Sequence, residues 1–283
     1  MINLRPLETC SHYEFDQIHR SKNDPTFSKL SSIRNEIRER YNEYHKYFDN
    51  NNLEKLSDSP FVGGKKDALK HCYESPVKAL NNLKIRIKKN QPDLIKGICQ
   101  FCGMDSDNTF DHYLPKEDFP EFNINHRNLI PCCYTCNQLK NEYWLDNKNK
   151  RGIINLYTDT IPLSQFLFID IKIINGLPIG VYSIKNGEGK VDKALYKVIK
   201  DHFHRLKLIE RYNERFSNTF FKIINSIKYI IRAGLPSSQI EFFLKEEVNN
   251  DIHDFGVNHH ITTTKKHIYE NKELFKKIIQ IYR

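Results

Sequence analysis

Two short cysteine motifs, Cys99-x-x-Cys102 and Cys133-x-x-Cys136, lie 30 residues apart in a chain of 283. No other feature constrains the fold as much. Two such knuckles bring four sulfurs to the corners of a tetrahedron, the arrangement Zn²⁺ takes in structural sites. A site closed by four thiolates leaves no open position, so this zinc is expected to be structural. It would tie together the two ends of a segment that has little apolar core of its own. Cys132 is an alternative to Cys133, but the two-residue spacer to Cys136 favours Cys133. Cys10 and Cys72 read as buried or idle thiols. Five of the seven cysteines fall within 38 residues. The opening MINLRPLETCSHYEF lacks the apolar core of a signal peptide, and no run of about 18 apolar residues marks a membrane span. A cytoplasmic protein without membrane contact is therefore expected. In that compartment disulfides are rare and clustered cysteines point to metal.

Between the knuckles, TFDHYL alternates and is β-prone, which places His112 on or at the end of a strand. The apolar run NLIP can pair with it. After Pro131, CCYTCNQLKNEYWL reads as a helix that carries Leu139, Tyr143 and Trp144 on a core-facing side. The order is strand, loop, strand, helix. A zinc fixing the helix start against the loop before the first strand would let Asp111, His112 and Asn137 converge. An aspartate and an amide carbonyl suit a hard ion such as Mg²⁺, which takes few protein ligands and keeps waters and phosphate oxygens. His112 is the best general base at neutral pH. His126 reads as a surface residue. His202 and His204, two apart on a helix, point away from each other. His259 and His260 fall in an apparent loop.

The remainder of the chain reads as mainly helical flanks, 1–97 and 191–283, around the unit 98–150 and a β-hairpin region 151–190. KLSSIRNEIRERYNEYHKYF is a helix with Ser31 or Ser32 as N-cap. Residues 65–90 form one or two helices interrupted at Pro76. Two apolar runs around Asn175-Gly176 signal a hairpin with a type I′ turn. From Val191 to Ile230 apolar residues recur every three or four positions, a long amphipathic stretch with a bend near His202. Two further helices are expected over 237–248 and 264–282. The fold class is thus α+β. The net charge is +9, and it is focused. Residues 61–100 hold nine basic against three acidic side chains, and residues 190–232 hold eleven against four. Basic segments on either side of the cysteine unit favour a polyanionic partner, nucleic acid, over a merely solvated surface. GGKKD lacks the spacing of a phosphate loop, so no ATPase motif is present.

The cysteine unit resembles the HNH endonuclease family and its ββα-metal fold. The matching residues are Cys99 and Cys102, the Asp111-His112 pair, Asn128 in RNLIPCC, then Cys133, Cys136, Asn137 and Lys140. About 50 residues are covered. The resemblance implies that His112 activates water, that Asp111 and Asn137 hold one Mg²⁺ or Mn²⁺, and that Asn128 braces the loop orienting His112. Lys140 would contact phosphate or support the helix, and Lys116 is a further phosphate contact. Asn137 stands where the family name has its second His. An amide is a poor ligand for Zn²⁺ and favours hard ions. The implied partner is DNA, with RNA left open. By the same likeness, HNH units set between helical regions look like effectors of anti-phage defence that act beside an ATPase or sensor protein. The alternative is a zinc ribbon that binds nucleic acid and cuts nothing.

Overall fold

The computed structural model describes the whole chain apart from the side chain of Glu188. Among the described residues it holds eleven α-helices and two antiparallel sheets of two strands each, an α+β protein. The chain divides into two compact units, residues 3–161 and residues 1–2 with 162–283. Among the described residues no helix is long and apolar enough to cross a membrane.

The first unit begins with five helices: α1 (Ser11–Arg20), α2 (Thr26–Ser32), α3 (Arg34–Asp49), α4 (Gly63–Glu74) and α5 (Lys78–Lys89). Strands β1 (Thr109–His112) and β2 (Leu129–Cys132) and helix α6 (Tyr134–Lys140) follow. Helix α3 is rich in charge, yet Ile37, Tyr41, Tyr44 and Phe48 recur at three to four residues and form one buried stripe. Tyr41 and Tyr44 meet the ring of Phe122 at 5.9 and 4.7 Å. Phe122 lies in the loop between β1 and β2, so the helices form the other half of that loop's core. The serines expected to start α3 instead end α2. The hydroxyl of Ser31 donates to the Phe27 carbonyl and that of Ser32 to the Lys29 carbonyl, and Ile33 breaks the helix between them and Arg34. A hydroxyl already bonded backwards is not available to cap forwards.

One buried ion pair joins the helices to the β1–β2 loop. Arg40 Nε donates to Glu121 Oε1 at 2.9 Å, with Glu121 fully buried and Arg40 nearly so. Ser59 donates to the second oxygen of Glu121, and Arg40 also donates to the Ser57 carbonyl and to Glu43.

In the second unit, β3 (Leu167–Ile174) and β4 (Leu177–Ile184) pair along their whole length. Their turn is Asn175-Gly176 with φ of 51° and 79°, the two positive values a type I′ turn demands. Leu167, Ile169, Ile171 and Tyr182 form the buried face. Helices α7 (Lys193–Arg205), α8 (Leu208–Arg232), α9 (Ser237–Phe255), α10 (His260–Glu270) and α11 (Lys272–Tyr282) complete the unit. At Gly180 an added Cβ would lie 2.4 Å from the Phe216 ring, so α8 crosses the sheet where a strand residue has no side chain. The interruption expected near His202 falls at Lys207, whose φ of 50° ends the helical path between α7 and α8. Where two helices were expected after 237 there are three, because Asn271 stops α10 and caps α11 by accepting from Leu274 N–H. His259 lies in the loop before α10, as expected, and His260 opens the helix; both are buried, and His260 stacks on Tyr212 at 5.2 Å.

Removing one partner of a buried pair strands the other charge without water. Arg40→Ala is therefore expected to lower stability by about 3–5 kcal/mol in urea unfolding. Lys96→Ala, which removes a surface partner of the exposed Asp93, is expected to leave the unfolding midpoint unchanged.

Candidate active site

The four cysteine sulfurs of Cys99, Cys102, Cys133 and Cys136 lie within 4.8 Å of one another, and all four residues are buried. A tetrahedron with metal–sulfur bonds of about 2.3 Å has edges of about 3.8 Å. The Cys102 and Cys133 sulfurs are 3.9 Å apart. Local backbone prepares both knuckles. Gly103 takes a φ of 66° as its N–H donates to the Cys99 carbonyl at 2.7 Å, which turns the chain back tightly enough to present both sulfurs. Cys133 is the N-cap of α6, and its sulfur accepts from Cys136 N–H. Hydrogen bonds from Cys102, Cys136 and Cys99 push the Cys133 thiol down, while burial pushes that of Cys99 up. Four buried sulfurs with this spacing can bind a metal ion, and thiolate donors suit zinc. Cys132 is not part of the set. It sits on β2, its sulfur 3.5 Å from Thr109 Oγ1.

The register pairs Asp111 with Ile130 and His112 with Leu129. Side chains alternate along a strand, so Asp111 and His112 leave β1 on opposite faces. Phe110 and His112 face α4 and α5, while Thr109 and Asp111 face α6. Since β1 has a partner on one side only, a cavity along its other edge reaches both faces. That cavity has a volume of about 560 Å³ and is lined by Asp111, His112, Asn137, Tyr73, Lys84 and Lys116, among others.

His112 is half-buried. Its Nε2 lies 3.0 Å from the Asn123 carbonyl. A carbonyl only accepts, so Nε2 carries the proton and Nδ1 keeps a lone pair. Among the described residues Nδ1 has no hydrogen-bond partner. Burial pushes the imidazole pKa down to about 3, against the Asn123 bond and with help from Lys140, Lys116 and Lys84. Asn128 fixes the loop that supplies this carbonyl. Its Oδ1 accepts from Leu114 N–H at 2.8 Å, and its Nδ2 donates to the carbonyls of Leu114 and Phe122 at 3.1 and 3.3 Å. Asn128 thus joins the residues just after β1 to the turn just before Asn123. It is fully buried and is not among the cavity-lining residues.

Asp111 is 2% exposed, and its Oδ2 lies 3.0 Å from Lys140 Nζ. Burial raises its pKa from the ordinary 3.8 to about 6, although Lys140 pulls the other way. One cation does not fully compensate this carboxylate. Asn137 Nδ2 donates to the Phe110 carbonyl at 3.3 Å and to Thr109 Oγ1 at 3.4 Å. Both contacts are made by the NH₂, and the amide oxygen could serve as a ligand to a metal ion at the cavity.

Three sequence expectations change. Lys140 is fully buried, so it does not reach a phosphate. It donates to the His112 carbonyl at 2.8 Å and balances Asp111, because one helical turn beyond Cys136 points into the strand pair. Helix α6 ends at Lys140 rather than running through Trp144, since Asn141 takes a φ of 48°. Trp144 packs edge-on against Phe119 at 5.7 Å from beyond the helix. His126 is buried, not on the surface, and its Nε2 lies 3.2 Å from the Thr9 carbonyl and 3.0 Å from Ser11 Oγ. Lys116 is at the cavity and pairs with Glu74 at 2.8 Å, a part-exposed contact of little strength. Sequence reading missed Tyr73 and Lys84. The ring of Tyr73 meets His112 edge-on at 4.4 Å. The one available signal was the cluster of basic residues over 61–100.

Comparison with family models, with curated proteins and with solved structures gives no match to this chain.

Purified protein is expected to carry one zinc per chain by elemental analysis. Cys133→Ser should lose that zinc together with the ordered structure of residues 98–144, read as fast amide exchange there. Apparent binding of structural zinc is worth about 10–16 kcal/mol, more than a small unit can lose and stay folded. A strong chelator should reproduce the change in the wild type.

Proposed function

We propose that the chain is a metal-dependent endonuclease of the HNH type that hydrolyses DNA phosphodiester bonds. The observation that carries this reading is the state of His112. Its Nε2 proton is held by the Asn123 carbonyl, and its Nδ1 keeps an unprotonated lone pair in the cavity that Asp111 and Asn137 also line. A zinc ribbon that only binds nucleic acid has no need of such a base.

In this reading the order β1, β2, α6 is the ββα-metal unit, and the four cysteines hold a structural zinc. Asp111 and Asn137 would hold one hard divalent ion, Mg²⁺ or Mn²⁺, which supplies charge stabilisation at the scissile phosphate and its leaving oxygen. His112 Nδ1 takes a proton from the attacking water, and the imidazolium so formed keeps its Nε2–H bond to the loop. Asn128 keeps that loop in place, so the ring does not rotate away from the line of attack. Lys140 neutralises part of Asp111 and anchors the end of β1 through the His112 carbonyl. Lys116, at the rim, is suited to a phosphate once Glu74 exchanges for it. The amide at 137 selects hard oxygen-loving ions over Zn²⁺. The resemblance further suggests a cytoplasmic effector of bacterial defence, controlled by a separate ATPase or sensor because the chain carries no ATPase motif.

Supercoiled plasmid should be nicked or linearised with Mg²⁺ and left intact without it. His112→Ala should lower the rate by about 10²–10⁴-fold, the usual contribution of a general base. Asn137→Ala should keep its zinc and lose cutting. If His112→Ala cuts like the wild type, the reading is wrong; binding of DNA without cutting by the wild type would favour the ribbon. An RNA substrate in parallel decides between the two nucleic acids.

Asp111 also gives a pH test. A carboxyl raised from 3.8 to about 6 on folding binds its proton more tightly in the folded state. Its contribution to stability is therefore lost as pH rises through that window. A divalent ion binds the ionised form and offsets the loss. Mg²⁺ should raise the melting temperature at pH 7.5 and have little effect at pH 5, and Asn137→Ala should weaken the rise at the higher pH.

A further inference from the structure

Four lysines stand at the cavity, beneath it or on its Phe110 wall. Three are matched by a carboxylate: Lys88 by Asp107 at 3.1 Å, Lys116 by Glu74 at 2.8 Å and Lys140 by Asp111 at 3.0 Å. The fourth, Lys84, has no carboxylate partner among the described residues. It lies on α5, outside the cysteine-bracketed segment, and lines the cavity beside His112. Its Nζ rests 3.9 Å from the centre of the Tyr73 ring and 5.9 Å from that of Phe110. The same Tyr73 ring meets His112 edge-on. Ammonium, phenol and imidazole therefore follow one another along one wall.

A half-buried ammonium with only ring faces for company is under-compensated. A cation over an aromatic face is held less strongly than one in a charge-assisted hydrogen bond to an anion. Desolvation lowers the pKa of Lys84 with no opposing contribution. The ring contacts do fix where the charge sits, because Nζ itself rests over the face of Tyr73. The result is a positioned positive charge with an open coordination side, facing a cavity that also holds a base.

We propose that Lys84 forms a phosphate-binding subsite, in which the ammonium on α5 receives a non-bridging oxygen of the substrate backbone next to His112. The proposal rests on the nuclease reading for its ligand. It goes beyond that reading by assigning part of the site to the N-terminal helices. Tyr73 is the positioning residue that holds the ammonium in place.

Lys84→Met keeps an unbranched side chain and deletes the charge, and Lys84→Gln deletes the charge while keeping a polar end. Binding of a fluorescent DNA duplex is measured by anisotropy across a salt titration, without added Mg²⁺ or Mn²⁺. Cleavage is measured separately in single turnover at saturating DNA. Loss of one phosphate contact should make the slope of log K against log salt shallower by about 0.9. Single-turnover cleavage should fall at least ten-fold, and Lys84→Arg should recover the slope. An unchanged slope and an unchanged rate in zinc-loaded, folded variants would overturn the proposal and leave the nuclease reading standing. Loss of fold in both variants would make Lys84 a structural residue and overturn it too. A wild type that binds with the steeper slope and does not cut would end the nuclease reading while the subsite stands. A wild type that does not bind DNA ends both.

Discussion

Everything at the candidate site is hung from the contact between two cysteine knuckles. Helix α6 has seven residues, far too few to be stable alone, since isolated helices are marginal below about 12–15 residues. What holds it is Cys133 at its first end and Cys136 within its first turn, both committed to the sulfur cluster. Its remaining inward positions then have fixed destinations. Asn137 lands against the Phe110 carbonyl, and Lys140 lands between Asp111 and the His112 carbonyl. One short helix thus provides two sulfurs, an amide and an internal counter-charge to the same strand, and none of the four has an address without the cluster.

The electrostatics of the cavity share one cause. Burial disfavours charge, so the Asp111 carboxyl is raised, the His112 imidazole is lowered and the Lys84 ammonium is lowered. For His112 this yields a neutral ring, the form a general base requires. For Asp111 and Lys84 it yields a carboxylate short of positive charge and an ammonium short of negative charge, both lining one cavity. In the proposed nuclease a divalent cation carrying a phosphate would supply both at once, and an uncompensated demand of both signs is a poor match for a purely structural pocket.

How much of this could be read from the sequence follows the range of the interactions. The sulfur set was legible, including the choice of Cys133 over Cys132, because ligand spacing is a local property. The type I′ turn at Asn175-Gly176 was legible for the same reason. Short-range competition caused the smaller errors: Ser31 and Ser32 bond backwards and close α2, and Asn141 stops α6 although Tyr143 and Trp144 continue its apolar rhythm. The larger omissions are long-range. His126 is buried by Ser11 and Thr9, more than a hundred positions upstream, and Tyr73 and Lys84 reach His112 across nearly thirty or forty. No periodicity encodes such contacts. Lys140 was read as a phosphate contact or a support for the helix, and only the buried Asp111 beside it settles its side chain inward.

The helices before the cysteine unit are therefore part of the site rather than a separate attachment. Arg40 on α3 holds Glu121, and two residues later the Asn123 carbonyl holds the imidazole of His112. Tyr44 and Tyr41 pack on Phe122 between those two points. The direction in which Nδ1 points is thus fixed from both ends of one short turn, by Asn128 from the strand side and by α3 from the helix side. Helices α4 and α5 then close the opposite wall with Tyr73 and Lys84. Placing the imidazole to within a hydrogen bond of the Asn123 carbonyl requires the loop to be rigid, and in this chain that rigidity comes from a helical region outside the cysteine-bracketed segment.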